Sequence, residues 1–236
     1  MKITKRQLRR IIREEKQKVL TENKVRRIVR RRLMEGAGMG VDALVANDAY
    51  VTIESKSASR GSGFYIYISD ENGNQLDGRV WGEISLRPPY REEYGSGPCG
   101  GAFEAVQMSA AKGWGSLVYD VGIEIATQVG GGLMSNRLSM PKAEVDIWNN
   151  YYSSRGDVQS HQLDLRDMDI QAAKRKGIRL QKLNPDNPED ECRQKKAFRS
   201  AGPEKWDQSP LSKRFTKAPT TINALRAAGR LIEKGV

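Results

Sequence analysis

The sequence predicts a mixed α+β fold: a mostly antiparallel central sheet flanked by helices, a basic helical leader before it and an extended C-terminal tail after it. Three observations predict this. Four short β-type runs succeed one another between residues 49 and 110, divided by turn signals. After Gly113 and Gly115 the apolar residues switch to helical spacing. Nearly all of the net charge of +11 sits at the start: residues 1–35 hold 14 Lys/Arg against 4 Asp/Glu, and the remaining 201 hold 26 against 25. A nearly neutral body therefore follows a strongly basic leader.

The leader opens on "MKITKRQLRRIIREE", where Thr4 and Gln7 have capping-box spacing. Leu8, Ile11, Ile12 and Val19 fall near one helical face among arginines and lysines. A second short helix carries Val25, Ile28, Val29 and Leu33. Such helices bury little alone and need a partner: an acidic protein surface, nucleic acid or an anionic membrane. Gly36, Gly38 and Gly40 then make a flexible joint, so that 36–47 reads as a linker.

The body, 48–165, begins with "AYVTIES" (49–55), where Val51 and Ile53 alternate with polar residues. "GFYIYISD" (63–70) is aromatic and β-branched, and Asn72-Gly73 supplies a turn. "GRVWGEISLR" (78–87) is the third strand, and a Pro/Gly loop with Tyr90, Tyr94 and Cys99 leads to a fourth, 102–110. From Gly115, Leu117, Val118, Val121, Ile125 and Ala126 define a helix that ends at Gly130-Gly131-Gly132. "LMS" (133–135) is short enough for a buried strand. Pro141 opens a second helix whose Val145, Trp148 and Tyr152 share a face, and "SHQLDL" (160–165) is the last strand. The tail, 166–236, is expected to wrap the body and to end in one helix carrying Ile222, Leu225 and Ile232.

Composition removes several function classes. No apolar run reaches the ~18 residues of a membrane helix. A Gly-x-Ser-x-Gly elbow and a P-loop are both missing from the sequence. One histidine, His161, leaves no material for a His-based zinc site. Cys99 and Cys192 lie far apart and read as thiols of a reducing compartment.

The element order from 48 to 165, with the turn Ala110-Ala111-Lys112-Gly113-Trp114-Gly115 between fourth strand and helix, resembles the core of the GNAT acyltransferase superfamily. In that family the fourth strand splays from the fifth, acyl-coenzyme A enters the opening, and an Arg/Gln-x-x-Gly-x-Gly/Ala loop binds its pyrophosphate. The resemblance implies acetyl-CoA or another acyl-CoA as cofactor, contacted by Val106, Met108, Lys112, Gly113, Trp114, Gly115 and Ser116. Ala110 stands where the family has Arg or Gln. The physical case stands beside it, because uncapped N–H groups and the helix dipole favour an anion at a helix N-terminus. Tyr152, four residues before Gly156, matches the tyrosine that protonates the leaving thiolate. Glu104, with Glu83 as alternative, is the candidate base for the acceptor amine. The helices that the family inserts between its first two strands find no room in "SKSASRGS".

The leader also resembles those of marine tailed-phage proteins, which prohead proteases cut after Leu-x-Glu or Ile-x-Glu. Leu33-Met34-Glu35 before Gly36 supplies such a site, with Leu20-Thr21-Glu22 upstream. The resemblance implies a capsid-targeting segment, phage capsid or scaffold proteins as partners, and a place in the host cytoplasm and then the capsid interior. A permanent basic arm binding nucleic acid non-specifically is the other reading. Three functions stay open: an acyl-CoA-dependent N-acyltransferase, a head-associated protein with a degenerate GNAT-like fold, and a nucleic-acid binder acting through its leader.

Overall fold

The structure, a computed structural model, describes residues 39–58, 61–76, 81–89, 95–136 and 140–235. The leader with Leu33, Glu35 and Gly36, the first three residues of the third expected strand (78–80), and Tyr90 and Tyr94 lie outside them.

Alternation in the first runs produces the expected meander. Strands β1 (Tyr50–Ala58), β2 (Gly61–Ser69), β3 (Gly82–Arg87) and β4 (Phe103–Ala110) pair antiparallel in sequence. Their registers put Ile53, Ile66, Ile84 and Met108 in one row across the sheet. The helix expected from Gly115 is α2 (Gly115–Val129), and its Leu117, Val118, Val121 and Ile125 bury against that face. Each fully buried aliphatic side chain contributes about 1.5–3 kcal/mol. Strand β5 (Leu133–Met134) and helix α3 (Lys142–Ser153) follow.

The tail departs from the expectation. It does not merely wrap the body: it supplies two of the eight strands. Strand β6 (Val158–Gln162) is the sheet's edge, and β9 (Lys213–Lys217) inserts between it and β5. The expected strand 160–165 divides at Leu163. Beyond it β7 (Asp164–Leu165) pairs parallel with β8 (Glu191–Cys192) in a small second sheet. The Asp164 carboxylate fixes the break by accepting from Leu165 N (2.7 Å), Leu183 N (2.9 Å) and Asn184 N (2.7 Å). Helices α4 (Asp167–Lys174) and α5 (Lys195–Ala201) complete this region.

The closing helix is also shorter than expected. Helix α6 spans Thr220–Ala227, and β10 (Leu231–Lys234) then pairs parallel with β1 at the opposite edge. Gly229 makes the stop, with φ +63°, donating to Arg226 O (3.0 Å) while Arg230 N donates to Leu225 O (2.8 Å). These are the paired bonds of a Schellman motif, and they turn Ile232 from a helix face into a strand. The full sheet order is β10-β1-β2-β3-β4-β5-β9-β6.

Two further expectations are corrected. The 36–47 linker contains α1 (Val41–Ala46), whose Leu44 is fully buried in the core. Cys99 and Cys192 are not free thiols but a disulfide, with Cα atoms 4.5 Å apart. It joins the Pro/Gly loop to β8, and both residues are fully buried. Backbone geometry brings them together: Arg193 N donates to Ser96 O at 2.7 Å. Residues 39–236 form one compact unit, and no helix among the described residues is long and apolar enough to cross a membrane.

Candidate functional site

The site is built where β4 leaves β5. The two strands run parallel, but only Phe103–Leu133 and Glu104–Met134 are paired. Opposite β3, Ala105 faces Leu86 and Gln107 faces Ser85, so Val106 is an extra residue in the ladder. A bulge of this kind bends its strand and leaves backbone groups free of the ladder. The Val106 carbonyl instead accepts from Asn136 Nδ2 at 2.9 Å, just past β5. The neighbouring Ser135 hydroxyl is buried and has no hydrogen-bond partner among the described residues.

At the end of β4 the chain turns into α2. Ala111 N donates to Trp81 O (3.0 Å) and Trp114 N to Ala111 O (3.1 Å), closing the turn. Gly113 sits at φ +93° with its position open to solvent, and its carbonyl accepts from Met39 N at 2.7 Å. Trp114 is buried and packs against Trp81, with ring centroids 5.3 Å apart and the rings tilted by 47°. It is thus an anchor beneath the turn, its side chain part of the core. The first turn of α2 has neither a side-chain cap nor an acidic residue. Lys112 is exposed beside it. An uncapped N-terminus with a cation next to it favours an anion. Met108 is half-buried and packs against the core.

Helix α3 turns Trp148 inward against Phe215 (5.1 Å, stacked) and Tyr119 (5.3 Å, edge-on). The buried stripe runs through Trp148 and Tyr151 at i, i+3 spacing, which carries Tyr152 out to 42% exposure beside Lys213. A cavity of ≈ 250 Å³ lies between the two helices, lined by Ser116, Asp146, Ile147, Asn150 and Tyr151. Tyr152 does not line it. Tyr151 Oη donates to Asp120 Oδ1 at 2.7 Å and lies 3.2 Å from Ser116 O. Burial, and then the Asp120 carboxylate, push the Tyr151 phenol well above its ordinary pKa, so it keeps its proton. Arg155 bonds Asp120 (2.9 Å) and Asp157 (2.7 Å), and its hydrogen bonds hold Asp157 at about 2.

Glu104 is fully buried, and its Oε2 accepts from Arg87 Nε (3.1 Å) and Nη2 (2.9 Å). Glu83 accepts from the Tyr65 hydroxyl and from Gln75 Nε2 (3.4 Å) on the other side of the meander. The His161 ring is bonded to Thr216 across β6 and β9 at 2.8 Å, and burial lowers its pKa. No cluster of three or more His, Cys, Asp or Glu suited to a metal ion occurs among the described residues. The geometry thus joins Val106 to Asn136 and, separately, Ser116 at the start of α2 to Tyr151, and leaves Tyr152 outside the cavity. The Gly-x-Gly turn was readable, whereas Asn136, Ser135 and Tyr151 carry no sequence signal. Compared with family models, curated proteins and solved structures, the chain matches none.

Proposed function

We propose that this chain is a GNAT-like N-acyltransferase that moves an acyl group, acetyl in the simplest case, from acyl-CoA to an amine. The observation that carries the reading is the Val106 bulge. It accompanies the end of β4–β5 pairing, on the strand that runs on through Ala110 into a glycine turn and an uncapped helix N-terminus.

In this reading the N–H groups of Gly113, Gly115 and Ser116, with Lys112, hold the pyrophosphate, and the edge of β4 from Val106 to Met108, beyond its pairing with β5, faces the pantetheine arm. The cofactor supplies an activated thioester when bound. Tyr151, and not Tyr152, fits the proton donor: it keeps its proton at neutral pH and lines the cavity beside Ser116. Glu104 is the base candidate nearest the opening, oriented by Arg87. The experiment is acetyl-CoA turnover with a panel of amines, read as release of free thiol. Tyr151→Phe should slow an amine-dependent release roughly 100-fold while Tyr152→Phe stays within about twofold. Equal effects of the two substitutions would remove Tyr151 from the role.

A second reading is a head-associated protein whose GNAT-like fold has lost its chemistry. One observation favours it: β1 and β2 pair along their whole length, from Tyr50–Ser69 to Ala58–Gly61, so no helix is inserted between them. Absence of both turnover and cofactor binding would select it. Under either reading we propose that the leader is removed, giving a mature N-terminus at Gly36 or, from the upstream site, Asn23. Mass spectrometry of protein from particles reads this directly, and an intact Met1 there would contradict it.

A further inference from the structure

A second concavity lies between α4 and α5, a cavity of ≈ 790 Å³. Its floor is apolar, with Pro203 beside Ile178, Leu180 and Phe198, and these last three continue a small core around Trp206. Its rim is basic on two sides. Arg175 and Lys176 stand at the end of α4, and Arg193, Lys195 and Arg199 along α5 and its approach. Asp169 is the single carboxylate among the lining residues, and its Oδ2 accepts from Gln194 N at 3.3 Å. Arg175, Lys176, Lys195 and Arg199 are exposed, and none has an ion-pair partner among the described residues.

Like charges set around an apolar floor raise the local potential and select an anionic, amphipathic occupant. The two-sided rim narrows the choice. A ligand with one anionic head would answer one side and leave the other uncompensated. Several carboxylates flanking an apolar stripe answer both. The groove runs beside an eight-residue helix, about 12 Å long, which suits two turns of a docked helix with anchors at i, i+3, i+4 and i+7. The chain's own leader, with 14 cations against 4 anions, carries the wrong sign. We propose that this groove docks an acidic amphipathic helix of a partner protein.

The probe is a fluorescein-labelled peptide of about 14 residues, with Leu at the four anchor positions and Glu on both flanks, titrated by anisotropy into the full chain. A scrambled peptide of identical composition measures what the basic leader attracts without regard to shape. The patterned peptide should bind at least about 10-fold more tightly than the scrambled one. Charge reversal at Lys195→Glu with Arg199→Glu, and separately at Arg175→Glu with Lys176→Glu, should each weaken it at least about 10-fold with the melting temperature unchanged. Equal binding of the two peptides, or indifference to both reversals, would overturn the proposal. So would saturation of the groove by sodium oleate without any preference for the patterned peptide.

Discussion

Glu124→Ala should lower the unfolding free energy by about 3–5 kcal/mol, as expected when one partner of a buried ion pair is removed. Glu124 lies on α2 with no solvent exposure. Its carboxylate pairs with Lys217 at the end of β9 and accepts from Thr221 N and Ile222 N, both at 2.8 Å. Lys217 Nζ also donates to Thr220 Oγ1 (2.8 Å) and Thr221 Oγ1 (2.9 Å), so its three donors are satisfied. The network ties a central helix to an inserted strand and caps α6. Removing the carboxylate leaves an ammonium buried and the first turn of α6 uncapped. Glu124→Leu with Lys217→Met should cost only about 1–2 kcal/mol, the lost cap and imperfect packing, because no charge is stranded. Urea denaturation of the two variants checks both numbers, and equal losses would show that the charge itself matters little.

Reducing the Cys99–Cys192 bond should cost about 4–5 kcal/mol in the loop-entropy treatment, since it closes a loop of 93 residues. The bridge fastens the segment before β4 to the small β7–β8 sheet, two regions otherwise joined near it by bonds such as Arg193 N to Ser96 O. Both sulfurs are buried, so reductant must act on an opened form. A Cys99→Ser, Cys192→Ser variant avoids that delay. Its denaturation midpoint, compared with oxidised protein, should fall accordingly. An unchanged midpoint would mean the described linkage contributes nothing.

These two contacts also mark the limit of sequence reading. Strands β1 to β4 were legible because their inward positions are aliphatic and alternate. Strand β9 was not, because its inward positions are Lys213, Phe215 and Lys217. A period of two in burial is there, but the lysines hide it until Glu124, Gln162 and the Asp207 carbonyl are seen to receive them. Strand β10 was hidden behind a helical pattern that Gly229 ends. The glycines of the Gly113-Trp114-Gly115 turn were visible, since their spacing is local. The Val106 bulge was not, because it exists only relative to β3. Tyr151 and Tyr152 are adjacent in sequence, and only the seating of Trp148 decides which one turns inward. A pair of cysteines 93 residues apart gives no local sign of bonding.

The most direct test of the acyl-CoA reading is calorimetric titration of acetyl-CoA into the full chain and into Gly115→Asp. The nearest atom to a side chain at 115 is Ala110 Cβ, at 3.6 Å, so the variant has room to fold. An acid in the first turn of α2 favours the helix while opposing a phosphate. Saturable binding that weakens at least about 10-fold in the variant, with the melting temperature held, is the predicted result. Binding that ignores the new carboxylate, or no heat at about millimolar cofactor, would contradict it.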